Sequence, residues 1–397
     1  MEIKELDKEW LIPFYDRFNI IITKGKKHFV FDKDGEKYLD LVSGIAVVNF
    51  GHANREINKA IKKQIDKIIH ASNLYYNKLQ IKLAKKICEK SFKAKVFFCN
   101  SGAEANEAAI KVSRLYGNAK KQGKNKIIAL YNSFHGRTIA TISMTGQEKY
   151  KKGFEPLLEN FVFVEANNVK ELKEKFDENI CAIFLEAIQG EGGINKLSPE
   201  FVKEARDLST KYDALMIFDE VQTGIGRTGK YFGYQNFDVE PDGFTLAKGL
   251  GNGVPIGAFV VKDKIADLMK AGLHASTFGG NFLACAAGLK VLELLDEKIL
   301  EKINKLSEIF KSELEKLKEE FPDFIKEVRV YGLMIGIDLK EKLEVKNIIN
   351  EFLNNKILTL RAGTNVLRLL PPFTITGKEI EHFCKVFRKI LKNWRSK

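Results

Sequence analysis

The chain has 397 residues, a formal charge of +13, 45% hydrophobic and 29% charged residues, the make-up of a globular protein large enough for two or three domains. Its 65 Lys and Arg are interleaved with 52 acids along the whole length, so the excess reads as a solvated basic surface suited to anionic substrates, and nucleic acid is not expected as a partner. No membrane span, signal peptide, CxxC pair or metal-ligand spacing such as HExxH is present, which points to a cytoplasmic protein with buried free thiols and no metal.

Taken in chain order, the first segment holds two short strands, 28–32 and 37–40, about an Asp34-Gly35 turn. Ile57, Ala60, Ile61, Ile65, Ile68 and Ile69 then recur at helical spacing over 55–70, and a second helix is expected over 78–90. The middle alternates β-rich runs (96–99, 127–131, 180–185, 215–218, 244–246 and 256–261) with helical patterns such as 102–116 and 199–212. Alternation of this kind implies an α/β fold with a mostly parallel, doubly wound sheet. Beyond Asn281 one long amphipathic helix is expected to carry Leu292, Leu295, Ile299, Ile303, Leu306, Phe310, Leu314 and Leu317 on one face. Strand-like runs at 328–339 and 366–370 then suggest a smaller α+β domain.

Three segments carry chemistry. Lys248 is the only charged residue between Gly243 and Val261; it follows a β-run and opens onto a glycine-rich turn. An apolar, glycine-lined pocket disfavours a lysine's charged form, leaving an amine able to attack a carbonyl and form a Schiff base with an aldehyde cofactor. Asp219 ends the buried run Leu215-Met216-Ile217-Phe218, at the strand end where α/β sheets bind ligands. An acid there can keep a cofactor ring nitrogen protonated, although a helix cap is an equally ordinary role. The run Cys99-Asn100-Ser101-Gly102-Ala103-Glu104 is a strand, a small-residue turn and a helix start, which can cradle a phosphate on free N–H groups or simply cap the helix.

Together these residues resemble the class III, or ω-amino-acid, aminotransferases of the aspartate aminotransferase fold. The likeness runs from Tyr15-Asp16-Arg17-Phe18 to Leu367-Arg368-Leu369-Leu370-Pro371-Pro372. It implies fold-type I, with a seven-stranded large domain over 51–283 and a small α+β domain over 284–397 to which 1–50 contributes. It further implies pyridoxal 5′-phosphate as cofactor and a homodimer with the active site at the subunit interface. In that likeness Lys248 would join the cofactor and move the substrate proton, Asp219 would pair with the ring nitrogen, and Gln222 would bond the phenolic oxygen. Ser101, Gly102 and Ala103 would hold the phosphate, Phe134 would stack on the ring, and Thr277 would reach the partner subunit's phosphate beside the substrate-contacting Ser276. Arg137 would bind the carboxylate remote from the reacting nitrogen. Arg368 would bind the near carboxylate of glutamate or 2-oxoglutarate, with Glu191 as the switch that covers it for ω-amino substrates.

Ser43-Gly44-Ile45-Ala46-Val47, Ser72-Asn73-Leu74-Tyr75-Tyr76-Asn77 and His274-Ala275-Ser276-Thr277-Phe278 resemble the acetylornithine-converting branch, implying N-acetylornithine and 2-oxoglutarate as substrates. Ile45 stands near where ornithine-converting members carry a tyrosine for the free α-amine, and Phe282 departs from the usual proline. Branches using N-succinyldiaminopimelate, carrier-linked lysine, ornithine or 4-aminobutyrate share most of these residues, as do aminomutases and decarboxylases the lysine and aspartate. From another class, Gly224 to Lys230 has P-loop spacing, but Tyr231 stands where Mg²⁺ needs a Ser or Thr hydroxyl.

Overall fold

The computed structural model describes residues 3–396. Its main sheet has seven strands in the spatial order Ala94–Cys99, Gly257–Lys262, Gly243–Leu246, Leu215–Asp219, Ile180–Leu185, Lys126–Leu130 and Phe161–Val164. Gly257–Lys262 runs antiparallel to both its neighbours, while the other described pairings are parallel. Ile180–Leu185, Leu215–Asp219 and Gly243–Leu246 are buried at every position, as strands covered by helices on both faces must be, so their sequences read as unbroken apolar runs. The edge strand Phe161–Val164 is four residues long and only partly buried; its pattern is too short to separate from a loop.

Two smaller sheets flank this one. Ile22–Lys26, Phe29–Asp32 and Lys37–Asp40 form a meander whose last strand pairs in parallel with Ile357–Leu358 near the other end of the chain. Ile325–Tyr331, Met334–Leu339, Val366–Leu369 and Leu360–Ala362 make the second sheet, against which Glu297–Glu320 and Val345–Asn354 pack, with Gly377–Arg395 lying on those two helices.

Two sequence-level helices are corrected. The helix expected over 55–70 ends at Ile65, with Asp66 as its C-cap, and Ile65, Ile68 and Ile69 are exposed. The single helix expected after Asn281 is two, Phe282–Leu294 and Glu297–Glu320. Asp296 separates them: its carboxylate accepts the Ile299 N–H at 2.9 Å, capping the second helix, while Leu295 turns extended. A periodic apolar stripe continues across such a break, so periodicity alone cannot reveal it. Phe282 opens the first of these helices beneath the Asn281 cap, the position where proline's fixed φ and missing N–H cost nothing.

Residues 43–46 form one turn with four successive positive φ angles, Ser43 at 48°, Gly44 at 65°, Ile45 at 64° and Ala46 at 60°. Left-handed turns cost roughly 1–2 kcal/mol per non-glycine residue, so this one must be held from outside. Asp40 Oδ1 accepts the Val42 and Ser43 N–H groups at 2.8 and 2.9 Å, and Ser43 Oγ donates to Leu370 O at 2.6 Å. The turn thereby joins the N-terminal meander to the segment after Arg368. Among the described residues all five cysteines are free, no helix is long and apolar enough to cross a membrane, and no side-chain cluster could hold a metal.

Candidate active site

The site lies at the C-terminal edge of the main sheet. Asp219 closes one central strand in parallel register with Thr245 of the next, and Lys248 follows that second strand on a short 3-10 turn. Lys248 itself sits at φ 44°, a conformation that persists in a lysine only where the surroundings fix it. Gly249 and Gly251 make this possible: a Cβ on either would meet Asn49 or the Val254 carbonyl well inside contact distance.

Asp219 is fixed by three donors. Oδ2 accepts from His135 Nδ1 and Asn106 Nδ2, each at 2.8 Å, and Oδ1 from the Val221 N–H at 3.1 Å. Asn106 Oδ1 in turn accepts from Thr245 Oγ1 at 2.8 Å. Burial alone would lower the His135 pKa, but its hydrogen bond to Asp219 and the charges of Asp219 and Glu186 carry it above its ordinary value. The fixed carboxylate thus faces the cavity with the His135 ring and the Asn106 amide at its back.

A cavity of about 420 Å³ opens between these groups, the size of a small-cofactor site. It brings together Ser101, Gly102, Ala103, Phe134, Arg137, Glu191, Asp219, Gln222 and Lys248. Burial lowers the Lys248 pKa, assisted by Arg368 and opposed by Glu191, Asp219 and Glu186; the result is an amine more readily freed of its proton. Ser101 caps the helix Gly102–Lys120, its Oγ accepting the Glu104 N–H at 3.2 Å. The N–H groups of Gly102 and Ala103 have no hydrogen-bond partner among the described residues and lie at the positive end of that helix. A Cβ on Gly102 would sit 2.8 Å from both methyls of Val221, so only glycine keeps this wall in place.

Arg368 and Glu191 form a 2.5 Å ion pair beside the cavity, and Arg368 also donates to Gly190 O at 3.0 Å. Burial would raise the Glu191 pKa, yet the Arg368 charge and hydrogen bond, with Lys248 and Gln222, hold it below the usual carboxylate range. Arg137 is exposed at the mouth, its guanidinium 4.1 Å from the centre of the Tyr150 ring, with no acidic partner among the described residues. That leaves its fork available to an incoming carboxylate.

Thr277 and Ser276 are not in this chain's cavity. Thr277 is exposed, and Ser276 Oγ instead accepts from Asn100 Nδ2 at 3.2 Å and the Gly279 N–H at 3.1 Å. Sequence reasoning missed Asn106, His135, Val47 and Glu186, all of which line the cavity. Glu186 directly follows the strand Ile180–Leu185, as Asp219 ends its own, so the rule that found Asp219 could have found it. Burial pushes its carboxyl up to about 7, with the Asp219 charge adding to the rise and His135 opposing it. The P-loop alternative fails: residues 224–230 are a succession of turns leading to the 3-10 segment Gly233–Asn236, with no helix to receive a phosphate.

The residues fit a phosphorylated aromatic aldehyde. His135 Nε2 and Gln222 Oε1 are buried without a partner, the helix start offers unpaired donors for an anion, Phe134 supplies an aromatic wall, and one lysine amine and one carboxylate stand on opposite duties. Such a fold and site define a pyridoxal-phosphate-dependent transaminase. The chain belongs to the class-III aminotransferase family, whose model matches residues 13–391. It is 49% identical to the acetylornithine aminotransferase of Caldanaerobacter subterraneus over 98% of this chain and 99% of that one. The structure of the Elizabethkingia anophelis acetylornithine aminotransferase superposes with a TM-score of 0.89 at 34% identity, covering 98% of both chains. An ornithine aminotransferase from Toxoplasma gondii, described with partial occupancy of the same cofactor at its active site, gives 0.94 at 29% identity over 100% of this chain and 96% of that one.

Proposed function

We propose that the protein transfers the terminal amino group of N2-acetyl-L-ornithine to 2-oxoglutarate, giving N-acetylglutamate 5-semialdehyde and L-glutamate, a step of arginine biosynthesis. The observation that carries this reading is the Glu191–Arg368 pair beside Lys248. Two half-reactions with unlike substrates need a cation that is available to one and covered for the other. The acetylated donor is favoured by the 49% identical relative and by Ile45, which can offer no hydrogen bond to a free α-amine.

Pyridoxal phosphate, when bound, supplies an aldehyde for the amine and a ring that accepts the electrons left when a substrate C–H bond breaks. Ser101, Gly102 and Ala103 hold its phosphate, and Phe134 covers its ring. Asp219, steadied by His135 and Asn106, holds the proton on the ring nitrogen. Gln222 bonds the phenolic oxygen. Lys248 Nζ would be the base that holds and moves the proton taken from the substrate carbon. Arg137 holds the distant carboxylate in both half-reactions. Glu191 covers Arg368 while the ω-amine reacts, then leaves it for the near carboxylate of 2-oxoglutarate.

The same reading includes a homodimer. Trp10, Phe14, Tyr15, Leu74, Tyr75 and Tyr76 are exposed, Tyr76 at 99%, and large apolar side chains left in water in such number suit an interface. Thr277 and Ser276 adjoin Leu74, Tyr75 and Tyr76 through Asn73, whose amide donates to Ser276 O, and would act on the partner's cofactor. A division at 1–50, 51–283 and 284–397 is supported by the meander's pairing with Ile357–Leu358. Five free, mostly buried thiols suit the cytoplasm.

The test is a ranking of kcat/KM for N-acetylornithine, ornithine, N-succinyldiaminopimelate and 4-aminobutyrate, with glutamate released as the readout. N-acetylornithine should lead; a lead for any other donor reassigns the substrate, and no glutamate from any of them refutes the transamination.

A further inference from the structure

Arg368 has a counterpart on the same sheet. In the register of the second small sheet Arg329 stands opposite Gly336, and Gly336 stands opposite Arg368. The three residues therefore form one row across three neighbouring strands, with the two arginines on one face and about 10 Å apart by strand spacing. The hairpin that carries Glu191, between Ile188–Gln189 and Asn195–Lys196, lies across that row. Arg368 Nη1 holds its near side at Gly190 O (3.0 Å) and Glu191 Oε1 (2.5 Å). Arg329 Nη1 holds its far side at Gly193 O (2.5 Å) and Asn195 Oδ1 (2.9 Å). Between them Ile194 rests on Gly336, where a Cβ would come 2.9 Å from the Ile194 Cβ.

Arg329 is itself locked. Its Nη2 lies 2.7 Å from Asp338 Oδ2 and its Nε 2.7 Å from Glu327 Oε2, and its side chain is mostly buried. Other backbone groups of the hairpin tip are also engaged. Glu191 O accepts from the Gly363 N–H at 2.8 Å, Gly192 O from Asn195 Nδ2 at 3.0 Å, and the Ile194 N–H donates to Gln189 O at 3.0 Å. Every carbonyl from Gly190 to Gly193 is thus occupied, and the Glu191 side chain is the part left to move.

We infer that Arg329 is a positioning residue for the substrate switch: with Gly336 it fixes the Glu191 hairpin on the sheet, so that switching is a side-chain rotation on a stationary backbone. The inference rests on the proposed roles of Glu191 and Arg368. Removing the far anchor leaves the near one as the hairpin's main hold on the sheet. The Glu191 carboxylate then covers Arg368 less completely, and discrimination between the ω-amine and glutamate as amino donors falls.

The experiment measures the first half-reaction of the holoenzyme with N-acetylornithine and with glutamate in wild type, Arg329→Gln, Arg329→Lys, Gly336→Ala and Glu191→Gln. Arg329→Gln should lower the N-acetylornithine-to-glutamate ratio of kcat/KM about tenfold, the scale of one charge-assisted hydrogen bond. Gly336→Ala should move it in the same direction, Arg329→Lys less, and Glu191→Gln most. Hydrogen exchange at the Ile194 amide should quicken in Arg329→Gln, which a change confined to chemistry would not produce. If Glu191→Gln shifts the ratio and Arg329→Gln leaves it within twofold of wild type, or lowers both half-reactions equally, Arg329 does not position the switch. A ratio unmoved by Glu191→Gln overturns the switch itself and this inference with it.

Discussion

Gly102→Ala probes the phosphate cradle through a single atom. The added Cβ would lie 2.8 Å from Val221 Cγ1 and Cγ2 alike, well inside ordinary carbon–carbon contact of about 3.5–4.0 Å. Val221 is β-branched and stiff about χ1, and its main chain is held by the N–H bond to Asp219 Oδ1, so part of the displacement falls on the helix start. Overpacking of this kind costs about 1–3 kcal/mol. If most of it is felt when the Gly102 and Ala103 N–H groups must close on a phosphate, cofactor affinity falls roughly 5- to 150-fold. Equilibrium absorbance titration of the apoprotein with pyridoxal phosphate reads this directly. Val221→Ala removes both opposing methyls, so the double variant should recover the affinity of Val221→Ala alone. An affinity within twofold of wild type in Gly102→Ala, or a double variant no better than the single, would refute the steric argument.

Other outcomes follow from groups around the site. Arg227 is fully buried, donating to Leu333 O (3.1 Å), Pro371 O (2.6 Å) and Asn49 Oδ1; Arg227→Met leaves these acceptors unpaired and should lower stability by about 3–5 kcal/mol in denaturant unfolding. Burial pushes the carboxyls of Glu186 and Glu220 up to about 7. A raised carboxylate pKa stabilises below the unfolded value and loses that stability as pH rises through the folded one. Wild type should therefore lose up to about 3 kcal/mol per group between pH 4.5 and 7 relative to Glu186→Gln or Glu220→Gln, visible as a flatter Tm-against-pH curve in the variants. Asp40→Asn weakens the acceptor holding the left-handed turn at 43–46, which carries Ile45 and leads into Val47 of the cavity wall. Its KM for N-acetylornithine should rise severalfold with kcat little changed, in steady-state kinetics.

Much of the site was legible because its residues break local rules: a lone lysine in a glycine-rich apolar run, an aspartate ending a buried strand, a small-residue turn before a helix. Those signals are local in sequence, and the structure brings Lys248, Asp219 and Ser101 to one cavity. The left-handed turn was invisible, because it is held by Asp40 and by Leu370, more than three hundred residues further along. The same holds for the row from Arg329 to Arg368, which exists only once strand register is fixed. Ser276 and Thr277 lie outside the cavity of a single chain, so their proposed roles depend on a second subunit. The break at Asp296 is hidden because its cap sits inside a continuous apolar period, and the strand Phe161–Val164 because four residues are too few to show a strand's pattern.

The most direct test is the absorbance spectrum of the purified protein during titration with N-acetylornithine and then 2-oxoglutarate. A cofactor band near the visible edge should collapse on the first addition, return on the second, and be lost in Lys248→Ala. A protein that shows no such band after reconstitution with pyridoxal phosphate, and behaves identically as Lys248→Ala, would contradict the assignment of this lysine and with it the mechanism.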